Sequence, residues 1–407
     1  MNDMTIYRVD KDPFSSRAFY PVRYQEDLTA PEGHVRLFAG AEEKLPLPAP
    51  GMALNTAFPD VENRARAFLE TIRKPRLRLT LVGLGDVGGT LLTALKLLAN
   101  VGADAYIGPP AENDSCADGE KGGCGHPPLQ GVAEISEIGI YDPNEALCRR
   151  YELELNQVLD RPEPRIVLRD PETLFDCDVF LFTASRGVPP VGASGDVRMV
   201  QFEKNRDMLK AYSAQARAAR FSGLFCQISD PVDQLARCVF LQSNRDEAGN
   251  FDFLGLLPEQ IVGFGLGVMQ ARGAYMARAL GLTCPNLRAY GPHGADLVIA
   301  NDPRDYDAAI SEELTRRTVG ANMEVRALGF KPYIAPALSS AALSILGLLR
   351  GEVFLGAAPL GGVYFGCRSR LTDRGFELLR EDLHPDLQAR LQAAWEKLKE
   401  AEPLCRM

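Results

Sequence analysis

A doubly wound α/β fold, a parallel sheet followed by a mixed α+β segment, is what this sequence predicts, on three observations. Short apolar runs with the length of buried strands recur from residue 77 onward. Helical patterns lie between several of them, and the first run passes through a glycine-rich turn into a helix. Strands alternating with helices need crossover connections, and crossovers produce parallel pairing.

The strand-like runs are LRLTLV (77–82), EIGIYD (137–142), RIVLRD (165–170), DVFLFTA (178–184) and GLFCQIS (223–229). The clearest helix lies at 199–219, where Phe202, Met208, Leu209, Tyr212 and Ala216 recur at helical spacing. Residues 1–75 read as an extension with Pro-rich punctuation at LPLPAPG (45–51). They hold one amphipathic helix, capped by Asp60 and burying Phe68, Leu69 and Ile72. Residues 101–135 hold seven glycines and break the alternation as a surface-loop insertion. Cys116, Cys124 and His126 fall within it, but their spacing matches no standard zinc pattern, so no metal is expected. The chain thus divides into the extension (1–75), a nucleotide-binding segment with six parallel strands (76–232) and a substrate segment (233–400).

Composition excludes other classes. A net charge of -9 and a pI near 5.2 argue against nucleic-acid and anionic-membrane partners, which need basic footprints. Nine cysteines without a short-spaced framework fit a reducing compartment, and the acidic N-terminus lacks the apolar core of a signal peptide. The most apolar late stretch, Tyr333 to Leu349, is short for a membrane span and reads as a buried helix. A cytoplasmic protein is the expectation.

The turn Gly83-Leu84-Gly85-Asp86-Val87-Gly88 follows the first strand and opens a helix through Leu91, Leu95 and Leu98. In that context the spacing is the Rossmann-type dinucleotide signature. Gly83 permits the tight turn, Gly85 lets backbone approach a pyrophosphate, and Gly88 lets helix and strand pack closely. The N–H groups at the helix start, Asp86 and Val87 among them, face the anion. Asp142 closes the next strand and is placed to bond the adenosine ribose, which selects NAD over NADP by charge. It lies 54 residues beyond Gly88 instead of about 20, and the 101–135 insertion accounts for the difference.

The order of these landmarks resembles the lactate/malate dehydrogenase family over roughly residues 77–400. GLGDVG, IYD and FTAS are followed by a Gly/Pro-rich loop ending at Arg198 and by EKN (203–205). Then come SDPVD (229–233), GFGLGVMQAR (263–272), GPHG (291–294), KPYIAPALSSAAL (331–343) and GVYFGCRSRLTDRG (362–375). The resemblance implies an NAD-dependent oxidoreductase acting on a small 2-keto or 2-hydroxy acid, working as a homo-oligomer, dimer or tetramer. It implies His293 as proton donor and acceptor, Arg272 as the bidentate grip on a substrate carboxylate, and Arg198 as the closing-loop arginine that polarises the carbonyl. Thr183 and Ala184 of FTAS fall beside the cofactor.

Three departures accompany it. The family's orienting Asp, three residues before Arg272, is Met269; loss of such a carboxylate costs about four powers of ten in serine proteases. The family's carbonyl-donating Asn is Asp230, and an ionised acid there repels a developing oxyanion by about 4 kcal/mol at 4 Å and an effective dielectric near 20. The loop from Thr183 to Arg198 is longer than usual. The substrate-selecting position is therefore open among Val188, Pro189 and Gly192, with Arg186 near but out of register.

The first two changes suggest an exchange in which Asp230 takes over the pairing with His293. Two alternatives stand beside it: an anionic Asp230 that favours a cationic iminium, hence reductive amination, and an NAD-binding regulatory protein that has lost its chemistry.

Overall fold

The segment expected only as an extension folds into a sheet of its own. In the computed structural model, which describes residues 4–29, 45–100, 133–186 and 197–406 (side chains of the last stretch from Gln201), β1 (Thr5–Val9) pairs in parallel with β3 (Pro46–Asn55). The strand β2 (Phe19–Tyr24) pairs antiparallel on the other side of β3, and the short helix α1 (Gln25–Thr29) follows β2. Alternation of buried and exposed positions is weak in this stretch, which is why its strands escape a sequence reading.

Helix α2 (Val61–Ile72) buries Phe68, Leu69 and Ile72 as its spacing predicts. The Asp60 cap does not form. Asp60 adopts a left-handed conformation (φ 51°) and its carboxylate accepts from the Asn63 side chain (2.6 Å) instead of from a helical N–H. The extension is fastened to the rest by buried polar contacts. Glu259 accepts the Ala18 and Phe19 N–H groups (2.9 and 3.3 Å), and Phe14 packs edge-on against Phe251 and Phe253.

Beyond it lies a nine-stranded sheet. Strands β4 (Arg76–Val82), β5 (Glu134–Tyr141), β6 (Arg165–Leu168), β7 (Val179–Phe182), β8 (Leu224–Gln227) and β9 (Ile261–Gly263) are parallel, in the spatial order β6-β5-β4-β7-β8-β9. All four residues of β7 and of β8 are buried, the pattern of strands covered on both faces. The sixth parallel strand lies at Ile261–Gly263, beyond the expected boundary at 232. Antiparallel strands β12 (Val353–Leu360), β13 (Val363–Thr372) and β14 (Gly375–Leu378) extend the same sheet past it, while β10 (Arg288–Tyr290) and β11 (Val298–Ala300) form a separate pair. Strand order reverses between β4 and β7. In open α/β sheets ligands bind outside the carboxyl ends of the strands at such a reversal.

The helices that carry the site are α3 (Asp86–Leu98), α5 (Val197–Ala218), α6 (Val232–Ser243) and α7 (Leu266–Ala279), with α4 (Glu145–Leu155) between α3 and α5 in sequence. After α8 (Ala308–Ala327), the apolar stretch read as a buried helix is a π-helix (Pro336–Leu343) running into α9 (Ser344–Leu349). Ala337, Ala341, Ala342, Ile345 and Leu348 face inward, while Ile334 at its start is exposed. Among the described residues no helix is long and apolar enough to cross a membrane.

The chain closes with α10 (Pro385–Glu400) and α11 (Glu402–Arg406), which is fixed to α6 by a buried ion pair. Arg237 donates to Glu402 (2.7 Å) and to the Phe14 carbonyl (2.8 Å), and the two charged side chains are only 5% and 6% exposed. One guanidinium thus holds both chain ends. Removing one partner of a buried pair costs about 3–5 kcal/mol, whereas replacing both with apolar groups is close to neutral. Because Arg406 still bonds Glu402 (3.0 Å), Arg237→Met should lower the stability measured by urea unfolding by less than that amount, and Arg237→Met with Glu402→Leu should recover most of it.

Candidate active site

The glycine turn leaves β4 at the strand-order reversal. Gly83 has φ 94°, a value that glycine adopts without strain, and a side chain there would strike the Ala184 backbone. Its N–H donates to Tyr141 O (2.9 Å) and its carbonyl accepts from Thr183 Oγ1 (2.6 Å). A side chain at Gly88 would run into the Gly83 carbonyl, so the turn packs against α3. At Gly85 no atom stands within 4 Å of the place a Cβ would occupy, which leaves the backbone approachable there. The N–H groups of Asp86, Val87 and Gly88 precede the first intrahelical bond of α3, which Gly89 makes to the Gly85 carbonyl (2.8 Å).

Asp142 lies at the end of β5 beside this turn. Its Oδ2 accepts the Leu84 N–H (2.8 Å) and its Oδ1 the Asn144 N–H (2.9 Å), which leaves acceptor capacity on both oxygens for a hydroxyl. This arrangement fits a dinucleotide: an open glycine backbone, a helix start for the diphosphate and an acid for the ribose. Asp86 would repel the diphosphate, but Lys331 covers it at 2.9 Å.

The ends of β7 and β8 are tied together by Asn205 of α5, which is fully buried. Its amide donates to the Asp230 carbonyl (2.8 Å) and to Ser185 Oγ (3.2 Å), and its oxygen accepts the Arg186 N–H (2.7 Å). Ser229 adds a bond from its hydroxyl to the Ala184 carbonyl (2.6 Å). These contacts bring Thr183 and Ala184 alongside the glycine turn and set Asp230 at the sheet edge.

His293 arrives on the loop after β10. Its backbone N–H donates to Asp233 Oδ2 (2.7 Å), and its ring lies so close to Gly265 that any side chain at that position would overlap it. Nε2 stands 3.5 Å from Asp230 Oδ1, with the imidazole 15% and the carboxylate 56% exposed. That is an ion-pair distance, longer than a direct hydrogen bond.

Met269 and Arg272 lie on adjacent turns of α7, with Arg272 Nη1 3.9 Å from Met269 Sδ. Arg272 is half-buried and forms no ion pair among the described residues. Burial draws its pKa below the ordinary arginine value and the Asp230 charge opposes that shift. Ser340 of the π-helix bonds the Gly265 carbonyl (2.7 Å) and the Val268 N–H (2.9 Å), fixing the start of α7 against His293.

The structure therefore gathers Asp230, His293 and Arg272 in one place and Gly83, Gly85, Asp86, Val87, Gly88, Asp142, Thr183 and Ala184 in the neighbouring one. The side chain of Arg198, the loop positions Val188, Pro189 and Gly192, and the insertion with Cys116, Cys124 and His126 lie outside the described residues. Among the described residues no group of three or more His, Cys, Asp or Glu side chains is arranged to hold a metal ion. Sequence reasoning missed Asp233, Lys331 and Ser340, and used Asn205 only as a spacing marker. Asp233 carried a readable signal, an acid in the first turn of α6 three residues after Asp230; Lys331 and Ser340 had none, because their partners are far away in the chain.

No sequence-family model and no curated protein matches the chain. Solved structures do. A malate dehydrogenase from Archaeoglobus fulgidus in complex with NADH superposes with a TM-score of 0.61 at 17% identity, over 81% of this chain and 100% of that one. A minor L-lactate dehydrogenase from Enterococcus mundtii gives 0.59 at 19% identity, over 81% and 99%. A lactate dehydrogenase from Eimeria maxima with NADH and oxamate gives 0.58 at 17%, over 81% and 94%. At these identities the likeness establishes the fold, which is that of the malate and lactate dehydrogenases.

Burial pushes the Asp233 carboxyl up to about 7; the His293 N–H opposes the rise and the Asp230 charge adds to it. A folded-state value above the ordinary 3.8 means that the folded protein keeps a proton the unfolded chain releases. Stability should therefore fall between pH 4 and 7, by an amount on the order of several kcal/mol, and level off above that range. In Asp233→Asn the oxygen still accepts the His293 N–H. Thermal unfolding should show its melting temperature gaining on the wild type as pH rises from 4.5 to 7.5; a constant difference would contradict the assignment.

Proposed function

We propose that this protein is an NAD-dependent oxidoreductase that interconverts a small 2-keto acid and the corresponding 2-hydroxy acid. The observation that carries the reading is the meeting of a half-buried Arg272, with no ion pair among the described residues, and an Asp230–His293 pair beside a glycine turn suited to a dinucleotide. The resemblance in landmark order and the shared fold support it. On the same resemblance, a cytoplasmic homo-oligomer completes the proposal.

Arg272 binds the substrate carboxylate through two parallel N–H donors, which orients the carbonyl carbon and holds its oxygen toward the imidazole. NADH, when bound, supplies the hydride that adds to that carbon. The hydride pair forms the new C–H bond, the carbonyl π pair moves onto the oxygen and takes the Nε2 proton of His293 to form the O–H bond, and the imidazole is left neutral. Asp230 Oδ1, 3.5 Å from Nε2, sets a negative charge beside the ring that gives up the proton. Met269 has no acceptor strong enough for that task, so the carboxylate acts from the substrate side of the ring.

One observation favours a second reading. Asp230 is more than half exposed and stands 3.5 Å from His293 Nε2, and an anion there would stabilise a cationic iminium better than a neutral ketone. On that reading the substrate is a keto acid plus an amine.

The test follows NADH absorbance with a panel of 2-keto acids from short to long apolar chains, with and without ammonium. We expect oxidation with at least one acid and its loss in His293→Asn. Arg272→Lys should raise KM at least about tenfold, and Asp230→Asn should lower kcat by roughly 100-fold or more at unchanged NADH affinity. Turnover that requires ammonium would select the imine reading. No turnover with intact NADH binding would contradict both and leave a dinucleotide-binding protein.

A further inference from the structure

Asp86 stands in the first turn of α3, beside the open backbone of Gly85. An acid there suits the positive end of the helix dipole but opposes a diphosphate at the same end. The structure answers this charge with a lysine from the other end of the chain. Lys331 Nζ donates to Asp86 Oδ2 at 2.9 Å across 245 residues, and the two side chains are 69% and 54% exposed. An exposed pair of this kind holds weakly, with a median worth of about 0–1 kcal/mol, so its purpose is not to stabilise the fold.

The segment that begins at Lys331 runs directly into the π-helix, whose Ser340 fixes Gly265 against the His293 ring. One stretch of chain thus touches the start of α3 at one end and, at the other, bonds the residue that lies against the His293 ring.

We infer that Lys331 is a diphosphate-binding and positioning residue, held over the start of α3 by Asp86 and shared with a diphosphate oxygen when a dinucleotide binds. This rests on the NAD reading given above. An ammonium group has three donors, so it can keep Asp86 and still bond the diphosphate. Asp86 then serves as the holder, and its repulsion is cancelled by the cation it holds.

Calorimetric titration of the full chain with NADH, ADP-ribose and adenosine tests this. Lys331→Gln should weaken NADH and ADP-ribose by about tenfold, leave adenosine unchanged, and flatten the salt dependence of NADH binding; Lys331→Arg should restore most of the loss. Unchanged affinity of Lys331→Gln for NADH and ADP-ribose, with wild-type protein binding both, overturns the inference alone. An equal loss for adenosine also overturns it, since that marks general damage to the site. Failure of the wild type to bind NADH overturns the cofactor reading together with it.

Discussion

The buried amide of Asn205 is the contact on which the site depends. Parallel strands end in loops that must cross one edge of the sheet, and buried loop backbone needs hydrogen-bond partners. Asn205 meets that need at three points, joining Ser185 and Arg186 after β7 to Asp230 after β8. The contact sets the separation between the loop that flanks the glycine turn and the residue that faces His293. The proposed cofactor and acid–base sites are thereby built as one unit.

Around that unit the electrostatics are redistributed in comparison with the pattern that the family resemblance implies. A carboxylate is absent at 269, where Met269 packs in the core, and one is present at 230, where it is half in solvent. The buried acid nearby, Asp233, is used differently: it holds the His293 backbone, and burial favours its neutral form at low pH. The imidazole is therefore positioned through its main chain and through Gly265, and is paired through Nε2. A charge placed on the open side of the ring is weaker in water than one buried behind it. On the proposed reading it also lies within reach of the substrate, so the same residue would bear on both proton transfer and substrate charge.

Much of this was legible in the sequence, and the reasons are physical. Five of the six parallel strands were readable as short apolar runs, with β7 and β8 buried throughout, whereas β9, with three residues, is too short to register. The glycine turn was readable because Gly83 and Gly88 answer local steric demands that the structure shows, and the space beside Gly85 is open. The three-stranded sheet of the extension was not readable, because Pro-rich, half-exposed strands carry little periodicity. Lys331 and Ser340 were hidden for another reason: both act on partners distant in the chain, and no local spacing encodes such a pairing. Asp60 shows the converse, a good capping residue that takes a left-handed conformation and bonds Asn63 instead.

The most direct measurement is a crystal structure of the protein with NADH and oxamate, a carboxylate-bearing mimic of a small 2-keto acid. The account predicts the diphosphate over Gly85 and the oxamate carboxylate on Arg272. It also predicts the oxamate carbonyl oxygen within hydrogen-bond distance of His293 Nε2, with Asp230 beside the ring. Oxamate bound away from Arg272, or Asp230 standing between the imidazole and the oxamate carbonyl, would contradict it.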